Sequence, residues 1–399
     1  MNVAETLTPQ VLDRIRAMLK DMGVDGWLLF DFHGLNPVAT RVLGIGGLAT
    51  RRLFVLIPQS GEPVAVAHKI ELGRIEGFPG RVIPFAAWRE LEDGLKSVLK
   101  GKKVAMEYSP KDAVPYLDRV PAGVLELVRA SGAEVVSSSD LVSAIASRWS
   151  KDELAGHRKA AELLREIALA AFQHVKGEHQ AKRAITEGAL MQWVLDAFKR
   201  AGLETNSPPI VGVDAHAANP HYETTGSTTP ILADQVLLLD LWAGVTRDAV
   251  YADQTYMCYT GGVVPDEQQK VWRTVRDARD AAVTLLKQRW SAKQKVTGAD
   301  LDDATRGVIK AAGYGEWFVH RTGHSIDRDL HGSGPHIDNY ETNDNRTLIP
   351  GVGFSIEPGI YLTGRFGMRS EINMTLQDDG PLVTPSAPQT ELVVLGLTR

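Results

Sequence analysis

A single cysteine, Cys258, stands in 399 residues. One thiol excludes a disulfide framework and any zinc site built from several cysteines, and it suits a reducing compartment. No run approaches the ~18–20 consecutive apolar residues of a membrane span. The opening MNVAETLTPQ has no basic region followed by an apolar core, so a cytoplasmic protein without membrane contact is the expectation. The net charge is −5 and there is no basic stripe to neutralise phosphates, which argues against nucleic acid as a partner. No G-x-S-x-G elbow occurs; HGSGPH and GFSIEPG lack it, and serine hydrolase chemistry is set aside. GIGGLA (44–49) precedes a strand where a dinucleotide loop would have to precede a helix, so it reads as a turn. Short-period repeats and low-complexity segments are absent as well.

What is present is an ordinary globular composition, 44% hydrophobic and 23% charged with 20 prolines. The length predicts two domains. Thr8-Pro9 opens a helix that Gly23 stops. GWLLFDF, RRLFVLI, PVAVAH and KKVAMEY follow as short strands, with WRELEDGLKSVLK helical between them. The capping box Ser150-Lys-Asp-Glu153 opens a long helix through about 175. Further helices are expected at about 186–201, closed by Gly202, and at 266–289 and 299–312, closed by Gly313. The strands QVLLLDLWA, VYADQTYMCY, GFSIEPG and MRSEINMTL alternate with them. The expectation is α/β throughout, with domains 1–147 and 148–399.

Four carboxylates sit where acids are costly. Asp240 ends VLLLD, Asp253 lies in VYADQTY, Glu357 ends FSIE and Glu371 lies in MRSEINM. Any one alone reads as a hydrogen-bonded edge residue. Four of them, in what read as two hairpins each aiming two acids inward, can hold two divalent ions together with one imidazole. That imidazole comes from HRTGHSIDRDLHGSGPH (320–336), which holds four of the chain's eleven histidines. Oxygen ligands with one nitrogen favour Mn, Co, Fe or Zn over a metal that prefers thiolates.

The ordered set LLLDLWA, YADQT, HRTGHSI, SIEPGIY and MRSEI resembles the pita-bread metallopeptidases: methionine aminopeptidase, aminopeptidase P and prolidase. Residues 1–147 resemble the creatinase-like N-terminal domain of the proline-specific members. The resemblance implies a pita-bread catalytic domain over 148–399. It implies that Asp240 chelates one metal, that His324 and Glu357 hold the other, and that Asp253 and Glu371 bridge them. Two divalent ions per chain are implied, Mn²⁺ or Zn²⁺ first and Co²⁺ next. Trp242, the wider spacing of the two aspartates, and SIDRDL after the ligand histidine depart from the family's usual pattern.

By the same resemblance His331 would hydrogen-bond the scissile carbonyl and then the tetrahedral intermediate, and His221, in NPHYETT, would contact substrate and assist proton transfer. His320 would line the pocket. Arg369 would orient Glu371, or else neutralise charge near the site, with the first reading preferred. A metal-bridging hydroxide would attack, with Glu357 as general base. His336 is read as a solvated loop histidine, and His216, His33, His68, His157, His174 and His179 are given no role. The implied activity is hydrolysis of Xaa-Pro dipeptides (prolidase), on small peptides with proline second, by an enzyme commonly found as a homodimer. A dipeptidase needs a cation for the substrate carboxylate; Arg346, Arg328 and Arg365 are the candidates. The runner-up is aminopeptidase P on longer peptides. More remote are a metal-dependent hydrolase or lyase of a non-peptide molecule, which Trp242 and SIDRDL keep open, and a non-catalytic binding protein, against which the complete ligand set speaks.

Overall fold

The computed structural model describes residues 6–398. The chain folds as two compact units, Met1–Ala146 and Ser147–Arg399. The first is built on a six-stranded mixed sheet, in the order β4-β3-β2-β1-β5-β6. Its strands are β1 (Gly26–Asp31), β2 (Leu53–Pro58), β3 (Val64–His68), β4 (Arg81–Phe85), β5 (Lys103–Met106) and β6 (Glu134–Ser137). β4 and β6 carry too few apolar residues in a row to have been singled out from sequence. Helix α1 (Pro9–Met22) is capped by Thr8, whose Oγ1 accepts from the Val11 amide (3.3 Å), and is stopped by Gly23 at φ 64°. Alternate strand residues feed the two faces: Trp27, Leu29, Val55 and Ile57 pack with Ile15 and Leu19 of α1. Leu28, Phe30, Phe54 and Leu56 pack with Leu91 and Leu95 of helix α3 (Trp88–Leu99), which follows the short α2 (Pro37–Leu43), and with Leu125 and Val128 of α4 (Ala122–Ala130).

The second unit opens with α5 (Lys151–Gln180), whose Ser150 cap accepts from the Glu153 amide (3.2 Å) while Glu153 Oε2 accepts from the Ser150 amide (2.7 Å). The helix runs about five residues beyond the expected 175. Its Gly177 does not break it, and it ends where Lys182 turns to φ 57°. Helix α6 (Glu187–Ala201), closed by Gly202 at φ 69°, completes the pair. A four-stranded sheet, order β16-β9-β8-β7, follows, with β7 (Ile210–Val213), β8 (Val236–Ala243), β9 (Ala252–Tyr259) and β16 (Val393–Val394).

The alternation along β8 and β9 decides where chemistry can sit. Leu237, Leu239, Leu241, Tyr256 and Cys258 face α5 and α6. Val236, Leu238, Met257 and Tyr259 face the other way, onto Val271, Trp272 and Val275 of α7 (Asp266–Ser291). Asp240 and Asp253 belong to this second row by period two, and the register pairs Asp240 with Thr255 and Trp242 with Asp253. The apolar row gives way to acids at one end of an otherwise dry sheet.

A second four-stranded sheet, order β10-β11-β14-β15, is made of β10 (Ser325–Ile326), β11 (Gly353–Ile356), β14 (Ile372–Gln377) and β15 (Gly380–Thr384). Its helical partners are α7 and α8 (Gly298–Ala311), through Leu286 and Leu301. The expected Glu357/Glu371 hairpin is more elaborate than its sequence suggested. β12 (Gly359–Leu362) and β13 (Phe366–Arg369) form a separate two-stranded ribbon, while β11 pairs with β14 beneath it. Ile356 is opposite Ile372, so Glu357 and Glu371 flank the last rung of that pair, and Glu371 lies in the break between β13 and β14 rather than inside a strand. No helix among the described residues is long and apolar enough to cross a membrane.

Candidate metal centre

Five side chains expected to be ligands meet at one place. Ligand atoms of Asp253, His324 and Glu371, all buried, lie within 4.8 Å of one another. His324 Nε2 is 3.3 Å from Asp253 Oδ2 and 3.4 Å from Glu357 Oε1. Thr255 Oγ1 is 2.8 Å from Glu371 Oε2 and 3.1 Å from Asp240 Oδ1, and it accepts from Arg369 Nε at 2.8 Å. A hydroxyl has one proton, so Thr255 can satisfy only one of the two acids at a time.

Local structure holds each ligand in place. The Asn373 side chain clamps Asp253 on both sides, donating to its carbonyl (2.8 Å) and accepting from its amide (2.9 Å), which ties β9 to β14. Ser355 Oγ accepts from the His324 amide (2.9 Å) and donates to Glu357 Oε1 (3.0 Å). The Glu357 amide donates to the Thr322 carbonyl (2.7 Å). Gly323 lets the histidine segment lie this close: a Cβ there would sit 2.0 Å from the Ser355 carbonyl oxygen. Asp302 of α8 accepts from the Thr322 amide (2.9 Å) and fixes the other side of the segment.

The residues fit a divalent cation for three reasons. The Nδ1 of His324 faces the Ser325 carbonyl at 3.1 Å, which only an N–H can satisfy, so Nε2 is the nitrogen turned to two carboxylates and the one open to a cation. Burial works to lower the His324 pKa, but Asp253 and Glu357 outweigh burial and raise it, so the two carboxylates call for positive charge at Nε2, a proton or a metal ion. Glu371 Oε1 is buried with no hydrogen-bond partner among the described residues. Burial and mutual repulsion also push the acids up: Asp240 to about 7, Asp253 upward, and Glu371 well above the carboxylate range. Glu357 behaves differently. Burial works to raise it, but His324, Arg369, His320 and His331 outweigh burial and keep it low. Its side chain, 15% exposed, is also the most open of the four acids.

The remaining expected residues are placed as follows. The His331 ring centre lies 4.0 Å from that of His324, the rings tilted by 39°; the His324 charge, burial and Arg321 press its pKa down to about 3. His221 is exposed on the loop after β7. His320 has both ring nitrogens engaged, Nδ1 with the Arg321 carbonyl (2.6 Å) and Nε2 with Tyr361 Oη (2.8 Å).

Expectations for five residues need correction. Arg369 does not orient Glu371 directly: its guanidinium pairs with Asp240 and reaches Glu371 only through Thr255, because β13 lies over β8 at that point. His336 is not a solvated loop residue. It is 1% exposed, and its Nδ1 accepts from the Ser325 amide (3.1 Å), so burial holds it well below the usual imidazole range. Arg346 is spent on the buried Asp344 (2.6 Å) and on the Ser333 and Gly334 carbonyls (2.6 Å each). Arg328 pairs with Glu153 (2.8 Å) and Arg365 with Glu267, so none of the three arginines proposed for a substrate carboxylate is presented for it.

Sequence reasoning missed Thr255, Asn373, Tyr361, Arg321 and Glu187. Glu187 is buried at the start of α6 and gathers the His221 loop. It accepts from the Val213 amide (2.8 Å), Tyr222 Oη (2.7 Å) and Ser227 Oγ (2.7 Å), and its Oε1 is 2.9 Å from His216 Nδ1. Its place at the first turn of a helix could have marked it, but only the fold shows what it gathers.

The mixed α/β architecture is that of the pita-bread peptidases, and its buried Asp253, His324 and Glu371 could hold a metal ion. Residues 155–378 match the model of metallopeptidase family M24, and the chain belongs to that family. It is 27% identical over 86% of each chain to a probable dipeptidase PepE of Mycobacterium tuberculosis. It is 31% identical to an Xaa-Pro dipeptidase of Lactobacillus delbrueckii subsp. lactis, over 61% of each. Among solved structures it resembles the dipeptidase PepE from Mycobacterium ulcerans, with a TM-score of 0.74 and 25% identity over 97% of each chain.

Proposed function

We propose that the protein is an Xaa-Pro dipeptidase (prolidase) with a dinuclear centre held by Asp240, Asp253, His324, Glu357 and Glu371. The observation that carries the reading is the buried Asp253, His324 and Glu371 group, with Glu357 beside His324 and Asp240 beside Thr255, and its surplus of negative charge. The relatives named dipeptidase and Xaa-Pro dipeptidase support the substrate class. We assign the first unit to the creatinase-like domain of the proline-specific members, and Mn²⁺ or Zn²⁺ to the centre. When bound, the ions would supply the acidity that makes water a nucleophile near neutral pH and the charge that polarises the carbonyl.

The chain's own groups divide the remaining work. Glu357 stays ionised, is steadied by Ser355 Oγ and is partly open to solvent, so it can take a proton from the attacking water and pass it on. His331, kept neutral beside the cluster, can donate a hydrogen bond to the carbonyl oxygen as charge builds there. The leaving group is an imide nitrogen that must be protonated, and His221 is the exposed residue able to do it. Arg369 and Thr255 hold Asp240 and Glu371 in register.

One observation favours a second reading, aminopeptidase P. Arg346, Arg328 and Arg365 are each committed to a carboxylate of the chain. Turnover of an Xaa-Pro dipeptide against the matching Xaa-Pro-Yaa tripeptide, with Mn²⁺ and with a chelator, decides between them. Cleavage of the dipeptide alone supports the prolidase; preference for the tripeptide supports aminopeptidase P. Cleavage of neither by metal-loaded protein overturns both.

A further inference from the structure

Arg321 stands within the histidine segment, between two clamped neighbours. Its own amide donates to Glu341 Oε1 (2.7 Å), and the next amide, of Thr322, donates to Asp302. The side chain is 8% exposed. It turns toward the far arm of the same loop, where Nη2 lies 3.5 Å from Nδ1 of His331. A guanidinium carries five donors and no acceptor, so an imidazole nitrogen hydrogen-bonded to it has to be the acceptor. The ring proton is then on Nε2.

We infer that Arg321 is a positioning residue that locks His331 into its Nε2–H tautomer, making this histidine a hydrogen-bond donor and not a base. The inference deepens the reading given under the proposed function and rests on it for what His331 donates to. His324, whose ring centre lies 4.0 Å away, is held in the opposite tautomer by the opposite kind of partner. A carbonyl oxygen accepts the Nδ1 proton of His324, so its Nε2 is the nitrogen open to a cation; a guanidinium donates to Nδ1 of His331, so that ring keeps its proton on Nε2. Two neighbouring imidazoles therefore offer complementary nitrogens at one site, one for a cation and one carrying a proton for an oxyanion. No proton leaves His331 in this role, so general acid–base work falls to Glu357 and His221.

The test uses the full-length chain labelled with ¹⁵N-histidine, zinc-loaded and metal-free, with the His331 signals assigned by their loss in His331→Gln. Wild type is expected to show Nδ1 bare and Nε2 protonated. Arg321→Met is expected to move the ring toward Nδ1–H and to lower kcat about tenfold or more with little change in KM, the effect of one misdirected hydrogen bond. Arg321→Lys, which keeps a cationic donor, should recover most of both. In a His331→Gln background Arg321→Met should change kcat less than about twofold. Nδ1–H in the wild type overturns the inference, as does an Nε2–H tautomer that persists in Arg321→Met. An undiminished loss in the His331→Gln background also overturns it. If that loss is a rise in KM for a dipeptide but not for its amide, Arg321 is instead the cation for the substrate carboxylate. The spectra need no turnover, so a chain that cleaves no Xaa-Pro peptide would sink the proposed function and leave the tautomer measurement standing.

Discussion

Two regions of this molecule bury acids, and they do it in opposite ways. In the first unit Glu107, 0% exposed, accepts from Trp27 Nε1 (2.6 Å), Asn36 Nδ2 (2.9 Å) and Ser138 Oγ (3.0 Å). Burial raises its pKa, and three neutral donors offset the cost. In the second unit Asp240, Asp253 and Glu371 crowd one another, Asp240 and Glu371 share a single threonine proton, and Glu371 Oε1 has no partner among the described residues. A buried acid that is fully hydrogen-bonded is architecture. A buried group of acids short of positive charge is a site waiting for a cation, at the cost of the stability that such repulsion removes.

Substitutions can break or sharpen this contrast. The largest effect belongs to the crowded acids. Glu371→Gln or Asp253→Asn should lower turnover about a thousandfold or more, since an ion at such a site contributes several kcal/mol of transition-state stabilisation. The same variants should be as stable as wild type, or more so, when both are metal-free, which thermal unfolding in chelator reads directly. Asp344 represents the satisfied class in the second unit. Arg346→Met strands its charge and should cost about 3–5 kcal/mol in urea unfolding. The preference between dipeptide and tripeptide should not move, because Arg346 is turned to Asp344 and two backbone carbonyls. In the first unit Glu107→Ala leaves three donors unsatisfied and should cost about 3 kcal/mol, with metal content unchanged.

The smallest effect is a pH dependence. His157 is fully buried between the Tyr251 carbonyl (2.9 Å) and Thr384 Oγ1 (2.8 Å), and burial lowers its pKa to about 4. The folded pKa lies below the unfolded one, so as pH falls the unfolded chain takes up the proton first. His157 thus stabilises the fold fully above about pH 6.5, and that contribution, at most roughly 3 kcal/mol, drains away between about 6.5 and 4. Unfolding midpoints at pH 7 and pH 5 should differ more in wild type than in His157→Gln.

The same contrast explains what could be read without coordinates. The Thr8-Pro9 and Ser150–Glu153 caps are local, so the helices they open were legible. Acids breaking the period-two rows of β8 and β9 were legible too, because a row of leucines ending in aspartate is anomalous in one dimension. Partnership was not legible. Arg369 chooses Asp240 over the nearby Glu371, and Asn373 clamps Asp253 from 120 residues away. His336 is drawn inside by a contact with Ser325 that nothing in HGSGPH announces. Such choices depend on which strands lie over which, and spacing along the chain does not encode that.

The central claim is that the buried acids of the second unit are a metal centre. Its most direct test is elemental analysis of the full-length protein after dialysis against Mn²⁺ or Zn²⁺ and then metal-free buffer, beside Glu371→Gln. The account predicts about two ions retained per wild-type chain, fewer in the variant, and a wild-type unfolding temperature that rises on metal addition. A folded wild-type chain that retains no metal, and whose unfolding temperature ignores it, would contradict the account.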